Sequence, residues 1–360
     1  MSVTKVPVGE VLAALDRYDA VIDARSESEY ALDHLPHAVN WPTLNDAQRH
    51  LVGTEYKQVS AFEARKRGAA MAARNIAAHI EREAMDLPRS WRPLVYCWRG
   101  GQRSGSLALV LGQIGFEVQL IDGGYREFRR AVIAQLDTLP APLGFRVLCG
   151  KTGSGKSRLL AALADAGAQV LDLEGLAQHR GSVLGALPGA PQPSQKRFET
   201  LLWDTLRQLD PARPVFVESE SRTVGRVRLP EALLERIRQA PCIVVEMPLD
   251  ARVQLLMEDY AHHVADTEGL CERLQVLREA RGHAIVERWQ AAARAGRIVE
   301  VVHDLLTEHY DPIYLRSMAR NFRHFEGAPV AHAEDGKPAT LAALARSLVD
   351  TPRMSVATPV

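Results

Sequence analysis

Two short segments of this 360-residue chain combine residue types that can do chemistry. The first surrounds a cysteine and reads Cys97-Trp98-Arg99-Gly100-Gly101-Gln102-Arg103-Ser104. The second is a glycine-rich run that reads Gly150-Lys151-Thr152-Gly153-Ser154-Gly155-Lys156-Ser157. Each segment follows an apolar, strand-like stretch and precedes a helix-like one. Each is therefore expected to form a loop at the end of a strand.

The glycine-rich run predicts a phosphate-binding loop, because it lies between a strand at Phe145–Cys149 and a helix. Glycines let successive backbone N–H groups point inward at phosphate oxygens, and the helix N-terminus adds partial positive charge. Lys156 is expected to neutralise terminal phosphate oxygens, and Ser157 to bind Mg²⁺ if a metal is present. The alternative is a glycine-rich turn that matches by chance, and the flanking elements argue against it.

Charged residues near other strand ends are candidate supports for this loop. Asp172 and Glu174 follow one apolar stretch, and Glu218 ends another. Glu218 fits the place of a metal-supporting acid, although a glutamate that is merely solvated fits the sequence equally. Three nearby arginines also have two interpretations: they bind anionic phosphate, or they form an ordinary solvated basic loop. They are Arg222, Arg226 and Arg228.

The thiol of Cys97 is expected to be reactive. Inward-pointing N–H groups, a helix N-terminus and two arginines surround it in sequence, and each favours the nucleophilic thiolate. The same cradle would stabilise a persulfide or selenosulfide anion on that sulfur. The alternative is a buried structural cysteine, which is how we interpret Cys149, Cys242 and Cys271. The four cysteines show no CxxC pair, so a zinc site or disulfide framework is not expected.

The composition is that of an ordinary globular protein, with 46% hydrophobic and 24% charged residues, which excludes a mostly disordered chain. No apolar run approaches the roughly 20 residues that a membrane-crossing helix needs. The N-terminal residues also lack the pattern of a signal peptide. We therefore expect a cytoplasmic protein without a membrane partner. Because the net charge is zero, a nucleic-acid partner must be met by a local basic patch.

Strand-like and helix-like stretches alternate along the chain, which predicts α/β domains with parallel sheets covered by helices on both faces. A break rich in proline at 136–144 marks the domain boundary. The predicted parts are a cysteine-bearing domain (1–137), a phosphate-loop domain (138–250), a helical extension (251–325), and a partly mobile tail (326–360) with at most one helix near 339–349.

Motifs of the first domain resemble those of rhodanese domains. Val21-Ile22-Asp23-Ala24-Arg25 and His34-Leu35-Pro36 resemble their N-terminal signature. The cysteine loop resembles their active-site loop, and Asp122-Gly123-Gly124-Tyr125 resembles their closing strand-end motif. One departure is His37, which stands where rhodanese domains usually have glycine.

A rhodanese domain followed at once by a phosphate loop is similar to the pairing in bacterial tRNA 2-selenouridine synthases. The resemblance extends over about residues 5–325. In the second half it is carried by six segments: Leu171–Ala177, His179–Ser182, Leu184-Gly185, Gln192–Glu199, Val217–Ser221 and His309–Tyr314.

This resemblance implies a two-step change at the wobble uridine of tRNA. The sulfur of 2-thiouridine is first alkylated with a geranyl group from geranyl diphosphate. Selenium from selenophosphate then replaces the S-geranyl group and gives 2-selenouridine. Cys97 would carry the selenium as a selenosulfide, and the phosphate loop would hold the diphosphate. The expected protein is a monomer with no tightly bound cofactor.

The residues alone leave other functions open. A rhodanese-type sulfurtransferase fused to an ATP-dependent kinase also fits, because a phosphate loop does not show which phosphate it binds. A nucleotide-gated regulatory protein that only binds a partner is a third function, although the intact Cys97 loop argues against it. The helical extension is either a tRNA-binding surface or an ordinary solvated face, and its candidate contacts are Arg316, Arg320 and Arg323.

Overall fold

The computed structural model of the chain describes residues 3–350, apart from 182–184, 186–188, 190 and 261–265. The chain divides into two compact units. The first comprises Met1–Leu136 together with Pro193–Asp204, and the second comprises Asp137–Gln192 together with Thr205–Val360. Two residues of the family-like segments, Ser182 and Leu184, lie outside the described residues.

The first unit is built on a five-stranded parallel sheet. The spatial order is β1-β5-β4-β2-β3, and the strands are β1 (Thr4–Val6), β2 (Ala20–Asp23), β3 (Ala38–Asn40), β4 (Pro93–Tyr96) and β5 (Gln119–Ile121). The central strands carry short, continuous apolar runs that are buried, such as Leu94-Val95. A parallel sheet needs such runs because helices cover both of its faces. The predicted parallel α/β fold is confirmed for this unit.

Some helices of this unit begin at capping side chains, and others have none. The helices are α1 (Val8–Ala13), α2 (Glu27–Leu32), α3 (Asp46–Gln58), α4 (Ala61–Glu83), α5 (Gln102–Ile114) and α6 (Gly124–Leu136). Ser60 accepts hydrogen bonds from two N–H groups in the first turn of α4. Asn45 and Gln48 form a reciprocal capping box at α3. No predicted helix corresponds to α3, although its capping residues are legible in the sequence.

A buried ion pair joins Asp23 and Arg25 at the end of β2. The guanidinium donates to both carboxylate oxygens, and Tyr96 Oη donates to the same carboxylate at 2.8 Å. The Arg25 guanidinium also lies 3.9 Å from the centroid of the Tyr125 ring. Neither charged side chain is more than 1% exposed, so each depends on the other for its burial.

The turn that leads into β3 contains a residue in the left-handed region. His37 adopts a φ of 57° there. This is the position at which the sequence departs from the rhodanese pattern. Glycine adopts this conformation without steric cost because it has no Cβ, so the turn keeps its shape here at a small energetic cost.

The second unit contains a second five-stranded parallel sheet, in the order β12-β11-β6-β8-β7. Its strands are β6 (Phe145–Cys149), β7 (Gln169–Leu171), β8 (Val215–Glu218), β11 (Cys242–Glu246) and β12 (Val330–His332). A short antiparallel pair, β9 (Thr223–Val224) and β10 (Val227–Arg228), stands apart from it. The α/β prediction is confirmed for this unit as well.

The helices of the second half include the predicted helical region after residue 251. They are α7 (Lys156–Asp165), α8 (Leu173–Ala177), α9 (Gln195–Leu206), α10 (Glu231–Arg238), α11 (Leu249–Asp259), α12 (Thr267–Leu274), α13 (Arg278–Arg281), α14 (His283–Arg294), α15 (Ile298–Asp304), α16 (Asp311–Asn321) and α17 (Pro338–Asp350). A 3₁₀ turn spans Gln275–Leu277, and a π-helical turn spans Leu305–Tyr310. Within the described residues, no helix is both long enough and apolar enough to cross a bilayer.

Helix α9 belongs mainly to the first unit, although it follows the phosphate loop in sequence. Thr200 Oγ1 donates to the buried carboxylate of Asp33 at 3.0 Å, and Arg129 forms an ion pair with Glu199. Trp203 is fully buried and packs edge-on against Phe128. The segment 193–204 therefore differs from its predicted place in the phosphate-loop domain, because it buries its apolar face in the rhodanese-like unit.

The segment 326–350 differs from the partly mobile tail that we expected. It contributes the edge strand β12 and the helix α17, which spans the predicted helical stretch 339–349. Leu341 and Ala345 of α17 join Leu159 and Leu163 of α7 in one buried cluster on a face of the sheet. Burial of these apolar side chains explains why this part is ordered. Residues 351–360 lie outside the described residues.

Asp23→Ala should destabilise the protein strongly, because it leaves the Arg25 guanidinium buried without its carboxylate. We expect the free energy of unfolding of the first unit to fall by about 3–5 kcal/mol, measured by urea denaturation of the full chain. The control is Glu63→Ala, which removes a surface ion pair with Lys66 in which both side chains are half exposed. It should cost less than about 1 kcal/mol. Equal losses in the two variants would contradict the importance of the buried pair.

Candidate functional site

Cys97 lies directly after β4 and is only 3% exposed. The hydroxyl of Ser104, in the first turn of α5, donates a hydrogen bond to Cys97 Sγ at 3.1 Å. A donor aimed at sulfur favours an anion there, so this contact fits a nucleophilic or chalcogen-carrying thiol. Gln102 begins α5, which places the N-terminus of that helix beside the cysteine loop.

The backbone of the cysteine loop is held from the other side by the start of α6. Tyr125 N–H donates to the Cys97 carbonyl at 2.8 Å, and Arg126 N–H donates to the Trp98 carbonyl at 3.1 Å. A Cβ on Gly124 would lie 2.3 Å from the Cys97 carbonyl oxygen, so only glycine permits this approach. The Asp122–Tyr125 motif thus supports the cysteine loop directly.

The two arginines of the loop differ in their surroundings. Arg103 forms a salt bridge with Glu29, with an Nη1–Oε2 distance of 2.6 Å. Its charge is therefore largely compensated by Glu29. Arg99 has an exposed side chain, and Gly100, with a φ of 65°, and Gly101 make the turn between them. The Ser104 hydroxyl is the side-chain donor that contacts the sulfur among the described residues.

The other three cysteines are buried. A hydrogen bond between the thiols of Cys149 and Cys242, together with burial, raises the pKa of Cys149. Burial also raises the pKa of Cys271. The environments of Cys149 and Cys271 thus favour the neutral thiol, whereas the hydrogen bond with Cys149 lowers the pKa of Cys242. The burial of all three agrees with their interpretation as core residues.

The phosphate loop has the expected shape between β6 and α7. Gly153 and Gly155 adopt φ values of 77° and 79°, which let the chain turn tightly before the helix begins at Lys156. Lys156 Nζ donates to the carbonyl oxygens of Gly150 and Lys151, at 2.7 and 3.3 Å. The ammonium group is thereby held across the loop, where a phosphate oxygen can also reach it.

Three carboxylates meet beside the loop. Ser157 Oγ lies 2.9 Å from Glu174 Oε2 and 2.7 Å from Glu218 Oε1, and Glu220 completes the cluster. Burial, followed by the charges of Glu174 and Glu220, raises the pKa of Glu218 well above its usual value. Burial, followed by the charge of Glu174, raises the pKa of Glu220 to about 7. Each carboxylate thus resists ionisation unless a cation joins the cluster.

Two of the predicted supporting residues lie outside this cluster. Asp172 caps α8, since its carboxylate accepts the N–H of Gly175 at 2.7 Å. Arg222 forms an exposed ion pair with Glu231, in which Nη2 donates to Oε1 at 2.9 Å. Its charge is therefore compensated by Glu231 and not by a group of the phosphate loop. Glu220, by contrast, was not among the predicted site residues. The spacing could have indicated it, because Glu220 stands two residues after Glu218, and side chains two residues apart in extended backbone point to the same side.

The helical region reaches the phosphate loop through the His309–Tyr314 motif. The N–H of Gly150 donates to Tyr314 Oη. Arg252 is 3% exposed and bridges two partners, the Thr152 carbonyl at 2.8 Å and the Asp311 carboxylate at 2.6 Å. The motif was singled out from sequence without a role, and the structure shows that it anchors α16 against the loop.

The π-helical turn before α16 presents His309 to the same region. Arg281 donates to His309 Nδ1 at 2.9 Å, and burial followed by the charge of Arg281 lowers the pKa of this imidazole. The ring is therefore neutral at pH 7, with its proton on Nε2. Single π-turns are frequent at functional sites because they re-aim side chains within a helix.

A cavity of about 560 Å³ extends from the phosphate loop within the second unit. Gly153, Gly155, Lys156 and Ser157 form part of its wall. Much of the remainder comes from α11, the 3₁₀ turn and α16. The apolar lining residues include Leu255, Leu256, Leu277, Ile313, Met318 and Phe322. Such a volume lies in the range of small-ligand pockets.

The candidate tRNA contacts lie on α16 or just after it. Arg316, Arg320 and Arg323 are all exposed. Neither Arg316 nor Arg320 is among the residues that line the cavity. Their contact with tRNA stays a prediction.

Glu220→Gln should stabilise the protein at pH 8 but not at pH 5. Folded Glu220 keeps its proton up to a pKa of about 7, whereas the usual value is 4.5. Wild-type stability is therefore fully present below the lower value and falls as the pH rises through this window. Because glutamine stays neutral, we expect a gain of about 3 kcal/mol at pH 8 in urea denaturation without divalent cations. The exposed control Glu235→Gln should show no such pH dependence; a similar profile for both variants would count against the assignment.

Two family profiles match the chain. The family described as "Rhodanese-like domain" matches residues 8–131, a range that contains the Cys97 loop. The family described as "tRNA 2-selenouridine synthase AAA domain" matches residues 143–270, and it contains the phosphate loop and the carboxylate cluster.

Relatives similar to this chain share one name, tRNA 2-selenouridine synthase. The protein from Sulfurovum sp. (strain NBC37-1) is 34% identical over 330 residues, which cover 84% of this chain and 89% of the relative. The protein from Alcanivorax borkumensis is 32% identical over 83% of this chain and 90% of the relative. The one from Nitrosomonas europaea is 39% identical over 67% of this chain and 63% of the relative. Because this similarity extends across both sites, the chain belongs to the tRNA 2-selenouridine synthase family.

Proposed function

We propose that this chain is a tRNA-modifying enzyme that converts 2-thiouridine at the wobble position to 2-selenouridine. The proposed donors are geranyl diphosphate for the first step and selenophosphate for the second. Relatives named for this product support tRNA as the substrate. The observation that carries the geranyl step is the cavity, in which a phosphate loop adjoins a mainly apolar wall.

The chemistry of this wall favours a hydrocarbon tail over a nucleotide. Adenine and ribose carry several hydrogen-bonding groups, and the apolar part of the wall, which includes Leu255, Leu277 and Met318, offers these groups no partner. A prenyl chain has no polar groups beyond its diphosphate, so its burial there is favourable. A ligand with a diphosphate head and an apolar tail thus satisfies both parts of the cavity.

The first step joins the sulfur of 2-thiouridine to C1 of the geranyl group. A C–S bond forms, the C1–O bond breaks, and the electron pair leaves with the diphosphate; the N3 proton of the base passes to solvent. Lys156 and the N–H groups of the loop bind the charge that develops on the leaving diphosphate. Alkylation also turns the thiocarbonyl sulfur into a competent leaving group for the second step.

Mg²⁺ is the cation that would suit the carboxylate cluster. Glu174, Glu218 and Glu220 each offer one oxygen within 4.8 Å of the others. Glu218 Oε2 is buried and has no hydrogen-bond partner among the described residues, a deficiency that a cation would remove. Together with Ser157 these carboxylates would hold the ion, which supplies positive charge next to the diphosphate.

The second step replaces the alkylated sulfur with selenium at C2 of the base. A C–Se bond forms and the C–S bond breaks, so geranylthiolate leaves with its electron pair. Selenium enters at the oxidation level of selenide, and the exchange at C2 therefore needs no oxidant. The selenium of selenophosphate forms the bond to C2, water cleaves the P–Se bond, and phosphate leaves. We assign Cys97 to hold this selenium donor beside C2 without forming an S–Se bond, because its loop combines a buried sulfur, the Ser104 hydroxyl and a helix N-terminus.

Cys97→Ser should abolish selenium incorporation and leave geranylation of 2-thiouridine tRNA largely intact, because only the second step uses the sulfur. Mass spectrometry of tRNA nucleosides after incubation with both donors measures the two products separately. Cys271→Ala, at another buried cysteine, is the control and should retain both activities. Loss of both activities in folded Cys97→Ser would overturn this division of labour.

Lys156→Ala should weaken the binding of geranyl diphosphate by roughly tenfold or more, since a charge-assisted contact to phosphate contributes about 1.5–3 kcal/mol. Isothermal titration calorimetry measures the dissociation constant. Lys337→Ala, at an exposed lysine paired with Asp335, is the control and should bind normally. Tight binding and turnover of ATP by the wild type, with no binding of geranyl diphosphate, would favour the kinase alternative instead.

A further inference from the structure

The helical hairpin at 46–75, formed by α3 and the first part of α4, adds almost nothing to the core of the first unit. We call it the α3–α4 arm. No residue of α3 is buried, and within the arm α4 buries only Ala64. The two helices pack on each other, and a Cβ on Gly68 would lie 3.3 Å from Val52 Cγ1. Burial of apolar surface therefore does not explain why the first unit carries this arm.

The base of the arm lies beside the cysteine loop. Glu29 pairs with Arg103 of that loop, and the same carboxylate lies 3.7 Å from Nε of Arg49 in α3. Asn75 Nδ2 donates to Gln48 Oε1 at 2.6 Å and so ties α4 to the start of α3. The 13 residues of α3 then rise about 20 Å to the turn that joins the two helices. The arm thus extends about 20 Å from a base next to the cysteine loop.

The arm carries an excess of positive charge. It contains six Lys and Arg residues and three acidic ones, in a chain whose net charge is zero. The acidic side chains are engaged in the pairs Asp46–Ser28, Glu55–Arg67 and Glu63–Lys66. Three exposed cations have no acidic partner among the residues that the structure describes: Lys57, Arg65 and Arg74. The arm is therefore a local basic surface that complements a polyanion.

The turn at the end of the arm exposes large apolar side chains. Tyr56 is 51% exposed, Val59 76% and Phe62 65%. The ammonium group of Lys66 lies 5.0 Å from the centroid of the Phe62 ring. Exposed aromatic rings next to cations suit RNA, because unpaired bases stack on the rings while the cations bind phosphates.

We infer that the α3–α4 arm is a tRNA-binding element of the first unit. Lys57, Arg65 and Arg74 bind phosphates of the tRNA, and Tyr56 and Phe62 stack on an unpaired base. This inference rests on the proposed function, which makes tRNA the substrate, and it adds a binding surface to that function. The five side chains bind tRNA and take no part in bond making.

The first test removes the three unpaired charges in the full chain, as Lys57→Gln/Arg65→Gln/Arg74→Gln. Fluorescence anisotropy measures the Kd for tRNA with 2-thiouridine at the wobble position, over a range of salt concentrations. The Kd should rise about tenfold or more, and the salt dependence of log K should become shallower by about 2–3, because each phosphate contact contributes roughly 0.7–0.9. The control Lys5→Gln/Arg17→Gln/Arg89→Gln removes the same charge at exposed positions outside the arm, and it should bind like the wild type. Equal losses in the two variants would overturn the inference.

The second test removes the two exposed rings, as Tyr56→Ala/Phe62→Ala. The Kd for the same tRNA should rise about tenfold with an unchanged salt dependence, because stacking involves no phosphate. The control Leu109→Ala/Ile133→Ala removes exposed apolar side chains outside the arm and should keep the wild-type affinity.

Two further outcomes separate the alternatives. Unchanged tRNA affinity in Tyr56→Ala/Phe62→Ala, together with loss of self-association in light scattering, would assign the arm to a second copy of the chain and overturn the inference. Both arm variants should still bind geranyl diphosphate like the wild type, since its proposed site lies in the second unit. Failure of the wild type to bind any tRNA with 2-thiouridine would instead overturn the proposed function.

Discussion

The second unit depends on the buried guanidinium of Arg252, which joins the phosphate loop to the helical region. It binds the Thr152 carbonyl on one side and the Asp311 carboxylate on the other. A buried guanidinium that loses either partner is costly, so the two elements are fixed together. The position of α16 along the loop follows from this contact, and with it the placement of Tyr314 beside the loop. A phosphate-binding loop thereby acquires an apolar neighbour that its own residues could not provide.

In the first unit, close contact between two backbone segments fixes the cysteine loop against the start of α6. Glycine at position 124 lets the start of α6 contact the Cys97 loop, where a Cβ would collide with the Cys97 carbonyl. Tyr125 extends the connection, because its hydroxyl donates to Asp33 at 2.7 Å. Asp33 in turn accepts from Thr200 of α9. A helix that follows the phosphate loop in sequence thus supports the framework behind the cysteine.

The strands, the cysteine loop and the phosphate loop could be predicted from sequence because each depends on neighbouring residues. Apolar runs of four or five residues, glycines at tight turns and the helix that follows are all local signals. The supporting charges were harder to predict. Asp172 serves as a helix cap and Arg222 pairs with Glu231, while Glu220 joins the carboxylate cluster. Which of several nearby charges meets a site depends on strand ends brought together by the sheet.

The sequence alone determined that a rhodanese-like cysteine loop and a phosphate loop occur in one chain, and the family resemblance followed from their order. Only the tertiary structure decided what surrounds them. In the structure α9 belongs mainly to the first unit, and β12 and α17 belong to the second. Helix α16 lies beside the phosphate loop. The physical reason is the range of the interactions: loop chemistry is encoded within eight consecutive residues, whereas a cavity is formed by side chains more than 100 positions apart.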